Sequence, residues 1–141
     1  MRIDAGNGCV TFEGGAVAAD MTRTSFLDSP LGRVAQRWSA NGEFESYRLV
    51  PEDGTIATVD FEGEILRMVS VVFEMPGEPQ EGPTMEWEMK RKDRHDAWLG
   101  ANLGAPPYEY AWGKVVSEFY HQHCASELSV VYAQPPRAAA E

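Results

Sequence analysis

The sequence predicts one α+β domain, with a mainly antiparallel sheet of about six to seven strands, a short N-terminal helical turn and one long helix after the central strands. Three observations favour this class. The middle of the chain alternates apolar and polar residues with the period of two that strands show. Short glycine- or proline-containing turns separate these runs. A single segment, residues 84–103, has the length and charge spacing of a helix.

Length and composition set the domain organisation. At 141 residues, 43% of them hydrophobic, the chain has the size of one ordinary domain and can bury a core. We expect residues 1–133 to form a single α+β domain. The small and polar residues 134–141 are expected to be a flexible C-terminal tail.

The first thirty residues predict a hairpin followed by a short helical turn. Two β-compatible runs within residues 9–18 flank a Glu-Gly-Gly turn, which is typical of a hairpin. Thr22 or Thr24 can cap a turn over residues 25–28. Pro30 should end that turn, because the residue before a proline avoids helical backbone angles.

Three strands are predicted next, and they cover residues 44–50, 55–62 and 65–75. The second strand alternates apolar residues with polar ones, so Asp60 and Glu62 should look outward. The third strand is apolar on both faces, which predicts that it lies at the centre of the sheet. The last two strands should form an antiparallel hairpin around Gly63.

One long helix is predicted over residues 84–103, after a proline-rich exposed loop at 76–83. Thr84 can cap the helix, and the pair Glu86 and Lys90 has the favourable i,i+4 spacing. The buried side stays open between two alternatives. They are the stripe of Met85, Met89, Leu99 and Leu103, and the stripe of Trp87 and Trp98. A closing strand pair, residues 110–120 and 128–132, is expected after the helix, with residues 121–126 as its connection.

The net charge of −10 comes from one third of the chain. Residues 43–88 contain twelve acidic residues and two basic ones, whereas the segments on either side each have equal numbers of both. Concentrated negative charge repels nucleic acid and anionic membranes and speeds the encounter with a basic protein. We therefore expect a protein partner. The candidate contact residues are Glu43, Glu45, Asp60, Glu62, Glu64 and Trp87, the last as an aromatic anchor.

A basic run at residues 90–95 would suit phosphate binding if it were uncompensated. Asp93 interrupts it and Asp96 follows it, so ion pairing along a solvated helix face is the preferred interpretation. We expect no nucleic-acid partner and no membrane partner.

The chemical motifs of common enzymes are absent from the sequence. There is no esterase elbow, no phosphate loop, no zinc-protease helix and no dinucleotide fingerprint. We therefore expect no catalytic residue and no cofactor. His121, His123 and Cys124 come nearest to a metal set, but they would need Cys9 and His95 to complete it, and an exposed loop is the preferred interpretation.

Location and redox state follow from two further observations. No stretch reaches the roughly 20 apolar residues of a membrane span, and no secretory signal is visible at the N-terminus. We expect a cytoplasmic protein whose two cysteines are reduced and packed rather than bridged.

Four segments carry a family resemblance. They are Ser-Phe-Leu-Asp-Ser-Pro-Leu-Gly at 25–32, Phe-Glu-Gly-Glu-Ile-Leu at 61–66, Arg-His-Asp-Ala-Trp-Leu at 94–99 with Leu-Gly at 103–104, and Tyr-Ala-Trp-Gly-Lys-Val-Val-Ser at 110–117. Over roughly residues 20–133 the chain resembles small bacterial proteins associated with immunity proteins of interbacterial toxin systems. Such a resemblance implies a protein that binds and neutralises a cognate toxin, and it brings no catalytic residue. Such relatives tend to have a glycine-rich turn where this chain has residues 121–126.

Two other functions stay open. One is a small-ligand-binding or enzymatic domain with a pocket between helix and sheet, lined by Trp98, Tyr108 and Trp112. The other is a homo-oligomeric structural protein. A toxin-neutralising binding protein is preferred, because the acidic segment favours a basic partner and many toxins of this kind are basic nucleases.

Overall fold

A computed structural model describes residues 1–82 and 84–133 of the chain. Its elements are β1 Arg2–Ile3, β2 Val10–Phe12, β3 Gly15–Val17, α1 Arg23–Leu27, α2 Pro30–Val34, β4 Gln36–Asn41, β5 Phe44–Leu49, β6 Thr55–Glu62, β7 Ile65–Phe73, α3 Met85–Leu103, β8 Glu109–Tyr110, β9 Gly113–Tyr120 and β10 Ala125–Tyr132. The predicted α+β class is confirmed. Residues 134–141, predicted to be a flexible tail, lie outside the described residues.

Seven strands form one antiparallel sheet in the order β4-β5-β6-β7-β10-β9-β8. β7 is the middle strand, as its apolar composition predicted. β6 and β7 form the expected hairpin around Gly63, which has a positive φ of 57°. Strands β1, β2 and β3 form a separate small antiparallel sheet, of which β2 and β3 are the predicted N-terminal hairpin.

One face of the seven-stranded sheet carries the core. The strand register places five buried residues in one row across five strands: Tyr47, Val59, Val69, Val130 and Val115. Side chains on a strand alternate between its two faces, so every second residue of these strands belongs to this same face, except that a register shift in β7 puts Leu66 rather than Arg67 on it. We call it the covered face, because the other elements of the described chain pack on it.

Two groups of elements cover this face. On the β5–β6 half, Phe26 of α1 packs its ring at 5.5 Å from Phe61 and 5.7 Å from Tyr47. The segment that contains the small sheet also contacts β10, where the Tyr132 hydroxyl donates to the Gly8 carbonyl at 2.8 Å. On the other half, α3 lies over β7, β10 and β9. Burial of apolar side chains beneath these elements is the main source of stability.

The N-terminal helices differ from expectation at Pro30. Thr22 caps α1 as predicted, but Pro30 begins a second helix rather than only ending the first. Ser29 is the cap of α2, and its hydroxyl accepts from the Gly32 amide at 3.2 Å. Proline is well suited to the first helical position, where its missing N–H is not needed. A glycine is required at position 32, since an added Cβ would lie 1.8 Å from the Phe26 carbonyl oxygen.

Strand β4 and the start of β10 were not predicted. All six residues of β4 are exposed, so the strand has no alternation of burial and is defined by its pairing with β5. β10 begins at Ala125, three residues before the predicted start, because the chain turns within residues 121–124.

Helix α3 matches its predicted bounds and its Thr84 cap, but neither predicted apolar stripe is its buried face. The buried residues are Glu88, Arg91, His95 and Leu99. The predicted solvated face of the basic run is therefore wrong for Arg91 and His95. Lys90 and Lys92 do form surface ion pairs, with Glu86 at 3.3 Å and with Asp96 at 2.8 Å.

The reason for this polar buried face lies where β7 and β10 separate. Their ladder ends at Val71 and Leu128, which leaves Phe73 and Ser126 without each other as backbone partners. The Phe73 amide donates to His95 Nε2 at 3.1 Å, and Arg91 Nε donates to the Phe73 carbonyl at 2.9 Å. The Ser126 amide donates to Glu88 Oε1 at 2.9 Å. Helix side chains thus satisfy buried strand groups that would otherwise be unpaired.

Within the described residues, no helix is both long enough and apolar enough to cross a membrane.

Candidate protein-binding face

The second face of the seven-stranded sheet carries the side chains that alternate with the core. One row across it consists of Arg48, Thr58, Ser70, Ser129 and Val116. Since the helices and the small sheet pack on the covered face, this side of the sheet has no second layer in the part of the chain that the structure describes. We call it the open face. An uncovered sheet face of this size is where a protein partner could dock.

Three of the carboxylates on the open face are Asp60 on β6, Glu118 on β9 and Glu127 on β10. We call them the acidic trio. Glu118 and Glu127 are directly opposite each other in the β9–β10 ladder. Like charges in directly opposed positions destabilise a sheet, because the two side chains lie within about 5 Å of each other at their Cβ atoms. This arrangement costs stability within the free protein.

Two members of the trio, Asp60 and Glu127, have raised pKa values. Burial raises the pKa of Asp60, against the opposing effect of a hydrogen bond from its cross-strand neighbour Ser46. Burial also raises the pKa of Glu127, and the nearby charge of Asp60 raises it further, while His123 lowers it. Each raised pKa means that the ionised form is disfavoured where it stands. A basic group placed over the trio would relieve this penalty.

Among the described residues, no lysine, arginine or terminal amine is within ion-pair distance of the trio. The contrast with other acidic residues is clear. At least seven of the twelve acidic residues in segment 43–88 are ion-paired, namely Glu45, Asp53, Glu62, Glu64, Glu78, Glu86 and Glu88. These seven therefore have a basic partner within the protein, and in every case but Glu62 that partner lies outside the segment.

Most of the carboxylates expected from the sequence to contact a partner are engaged within the protein. Glu45 accepts from Arg23 at 2.8 Å and has the register of the covered face. Glu64, in the turn after β6, accepts from Arg23 at 3.3 Å. Glu62 is on the open face but is paired with Arg67. Asp60 alone of these residues is a partly buried carboxylate without a cationic partner among the described residues.

The last two candidates lie apart. Glu43 is exposed in the turn between β4 and β5, where its carbonyl accepts from the Gly63 amide at 2.7 Å. Trp87 is half-buried in the first turn of α3, near the Phe73 end of β7, with the Lys90 ammonium 4.7 Å from its ring. The two sites are at opposite ends of β7, about 26 Å apart along a nine-residue strand. The structure does not bring Trp87 to the acidic residues.

Glu118 and Glu127 were missed by the sequence analysis. Segment 89–141 has no net charge, so a charge count gives no reason to single them out. The predicted start of the last strand at residue 128 also left Glu127 in a loop. A turn assigned to residues 121–124 would have aligned the two glutamates as direct neighbours.

A cavity of about 880 Å³ lies between the end of α3, the loop that follows it, and β9. Tyr108 lines it as expected, together with Leu99, Gly100 and Val115. The other two expected lining residues lie elsewhere. Trp98 packs edge-on against Phe73, with 5.8 Å between the ring centres, and Trp112 stacks on Tyr110, with 5.0 Å between the ring centres.

The candidate metal residues are not brought together. Within residues 1–82 and 84–133, no three His, Cys, Asp or Glu side chains form a group that could hold a metal ion. His95 is fully buried on the inner side of α3, while His121 and His123 are exposed in the β9–β10 turn. Cys9 and Cys124 are free thiols.

Comparison with known proteins gives no match, whether with family models, with curated proteins or with solved structures. The resemblance to immunity proteins therefore stays a prediction. What the chain can do has to be inferred from its own surface, and the open face with its acidic trio is the feature that requires an explanation.

Proposed function

We propose that this protein binds a basic protein partner across the open face of its sheet, with the acidic trio at the centre of the interface. Following the family resemblance, the partner is a cognate bacterial toxin, and binding in the cytoplasm neutralises it. No catalysis and no cofactor are part of this function.

One observation carries the proposal: Glu118 and Glu127 are opposed in register, and neither has a compensating cation among the described residues. Asp60 adds a third negative charge, which raises the pKa of Glu127. A pair of this kind lowers the stability of the free protein. Its retention is understandable if a partner supplies the missing positive charge, because complementary charges speed association and select the correct partner.

The surroundings of the trio suit an interface. Half-buried apolar side chains share the open face, among them Met68, Val72 and Val131. Trp38 is 54% exposed near one edge, with the Arg48 guanidinium 4.6 Å from its ring centre. Aromatic and apolar groups with a polar rim are typical of protein interfaces.

The area is also adequate. Five central strands spaced by about 4.8 Å and about 25 Å long give a face of roughly 600 Å² in projection. A complex of standard size buries about 800 Å² on each partner. A partner that covers the open face and its rim would reach this area.

The test compares two variants with the same change in charge. In the first, the trio is neutralised as Asp60→Asn, Glu118→Gln and Glu127→Gln. In the second, three exposed acidic residues outside the strands of the seven-stranded sheet are neutralised as Glu13→Gln, Asp20→Asn and Glu52→Gln. Where a toxin gene adjoins the gene of this protein, its product is the probe, and surface plasmon resonance measures association at low and at physiological salt.

We expect the trio variant to associate at least tenfold more slowly at low salt and the control variant to differ little from the parent. Cells that express the toxin should grow when they also contain the parent or the control variant, and should grow poorly with the trio variant. Equal association of both variants, or an equal loss in both, would contradict the proposal.

A second candidate function, binding of a small molecule, is favoured by the cavity between α3 and β9. Its volume of about 880 Å³ is within the range of ligand sites. A thermal-shift screen of metabolites tests it, since a ligand at a hundred times its Kd stabilises a protein by about 2.7 kcal/mol. A hit that Gly100→Trp abolishes would assign the cavity to a small ligand, because Gly100 lines it and has open space around its Cα.

A further inference from the structure

The outer edge of β9 is only partly paired. β10 pairs with β9 along its whole length on one side. On the other side, the two-residue strand β8 pairs only with Gly113 and Lys114. Beyond this point the Val115 amide donates to the Tyr108 carbonyl at 2.9 Å, and the edge has no further backbone partner among the described residues.

The alternation of an antiparallel ladder identifies which groups are free. The Val115 amide points outward, so the amides and carbonyls of Ser117 and Phe119 point outward too, while those of Val116 and Glu118 point to β10. The edge from Val116 to Tyr120 therefore offers two donors and two acceptors. An unpaired edge of this kind is a template for an added strand.

Both faces of such an added strand would meet a defined surface. Side chains of Ser117 and Phe119 are on the covered face, as Val115 is, and the cavity lined by Leu99 and Tyr108 lies on that side. Glu118, opposite Glu127, is on the open face of the same edge. The covered side suits apolar side chains, and the open side suits basic ones.

We propose that an extended segment of the partner adds to the sheet as an antiparallel strand along Val116–Tyr120, and that this segment alternates apolar and basic residues. The basic half of this proposal rests on the proposed function, because it uses Glu118 and Glu127. Apolar side chains enter the cavity, and backbone hydrogen bonds to Ser117 and Phe119 fix the register.

A second copy of this chain fits the edge less well. In the twofold antiparallel register that pairs all of Val116–Tyr120 with itself, Glu118 lies directly opposite the Glu118 of the other copy. Each copy also carries a net charge of −10. Like charges opposed across strands are destabilising, so a basic segment is favoured over self-association.

The opposite edge of the sheet is not equivalent. β4 has a bulge between Arg37 and Ser39, and bulges twist an edge away from further pairing. No cavity of comparable volume is described beside it; the smaller cavity near β4, about 470 Å³, is lined by Gln36 at its start and by Leu31 and Val34 of α2. β9 is thus the edge that offers backbone groups, a cavity and complementary charge together.

A peptide probe tests the proposal with a matched control. The probe is a capped seven-residue peptide that alternates lysine and valine, beginning and ending with lysine. Residues opposite Ser117 and Phe119 have their side chains on the covered face and their amides toward β9, and these are the valines. N-methylation of the valines should therefore block pairing, while N-methylation of the lysines alters only amides that point away from β9.

We expect the parent peptide and the lysine-methylated peptide to bind with affinities within about threefold of each other, and the valine-methylated peptide to bind at least tenfold more weakly. Calorimetry at constant ionic strength measures the affinities. Hydrogen exchange should show that the amides of Ser117 and Phe119 exchange rapidly in the free protein and slowly with the parent peptide. A Ser117→Pro variant, which removes one outward N–H at an edge position where proline is tolerated, should lose binding.

The outcomes separate the two proposals. Equal binding of both methylated peptides would overturn strand addition and leave charge attraction by the trio intact. Unchanged binding of the parent peptide to the trio variant, with Ser117 and Phe119 still protected, would contradict the role of the trio and leave strand addition intact. Protection of these two amides in the free protein, rising with its concentration alongside a dimer mass in light scattering, would assign the edge to a second copy and overturn the proposal.

Discussion

Charged residues are ion-paired on the covered face of the seven-stranded sheet, whereas the acidic trio on the open face has no cationic partner among the described residues. Beneath α3, Arg91 is paired with both Glu78 and Glu88 and also donates to the Phe73 carbonyl. On the open face, Glu118 and Glu127 oppose each other without a cation among the described residues. Charges that are buried and paired hold the fold together, whereas charges left uncompensated are available for a partner.

The two faces also differ in how firmly they hold their charged side chains. On the covered face, the charged cluster fills the gap where β7 and β10 separate, so its members are fixed by backbone hydrogen bonds as well as by each other. On the open face, no second layer of the described chain constrains the trio. Changes beneath α3 should therefore act on the free energy of unfolding, and changes in the trio should act mainly on binding.

The largest effect is expected from Arg91→Met. It leaves the buried Glu88 and the partly buried Glu78 without their cation, and the buried Phe73 carbonyl without a donor. Removal of one partner of a buried ion pair costs about 3–5 kcal/mol, because the remaining charge stays desolvated. Urea unfolding followed by circular dichroism measures this loss.

Arg94→Met is the matched control for this change. Arg94 is an exposed neighbour on α3 whose guanidinium lies 5.9 Å from the Phe73 ring centre. Its replacement should cost less than about 1 kcal/mol, as exposed interactions of this kind do. Equal losses in the two variants would show that the buried cluster has no special role.

The second effect concerns the pH dependence that His95 gives to the covered face. Burial lowers the pKa of His95 from 6.5 to about 4, and the nearby Arg91, Lys92 and Arg94 lower it as well, against the opposing charge of Asp96. Its Nε2 accepts from the Phe73 amide, which requires the neutral ring, and Nδ1 has no partner among the described residues. Protonation therefore favours the unfolded chain.

The direction follows from the lowered pKa. At pH values above 6.5 the ring is neutral in both states and costs nothing; as the pH falls from 6.5 to about 4, only the unfolded chain takes up the proton. The free energy of unfolding should fall by about 3 kcal/mol over this range and then stop changing on account of His95. Urea titrations at intervals of half a pH unit measure it.

His95→Asn should lower stability at neutral pH and remove most of this slope, whereas His121→Gln, a change at an exposed histidine, should leave the slope intact. A slope that persists in His95→Asn would mean that His95 is not the source of the pH dependence.

The difference in burial between the two faces explains how much could be predicted from the sequence. The strands of the covered face can be recognised in the sequence by their alternation of apolar and polar residues: Ala57, Val59 and Phe61 lie inward as their spacing predicted. β4 cannot be recognised in this way, because none of its side chains is buried in the described chain. The predicted centre of the sheet was confirmed, because β7 has apolar residues on both of its faces, although only the covered face has a second layer among the described residues.

Interactions between distant segments could not be predicted. The buried face of α3 contains charged residues because two strands separate beneath it, and nothing within the helix sequence shows that Phe73 and Ser126 lack partners. The acidic trio depends likewise on a register between strands. Glu118 and Glu127 become neighbours only through the position of the turn between them, and a charge count along the chain cannot detect that.

The smallest effect, and the one that distinguishes the two faces most directly, is expected from Glu127→Gln. Removal of one charge relieves the repulsion from Glu118 and Asp60, so the variant should be more stable than the parent by about 0.5–1 kcal/mol at pH 7. Binding of the basic partner should weaken in the same variant. A gain in stability coupled to a loss of binding is the signature of a charge kept for recognition.

The pH dependence gives this prediction its control. The pKa of Glu127 is raised above 4.5, so the folded protein holds this proton more tightly, and stability should fall as the pH rises from 4.5 through the raised value. This trend has the opposite sign to that of His95, and Glu127→Gln should remove it while leaving the slope from His95 unchanged. Glu52→Gln, at an exposed site, should change neither stability nor binding appreciably. If Glu127→Gln instead lowers stability, the trio is a structural feature of the sheet, and this result would contradict the proposal that the open face is a binding surface.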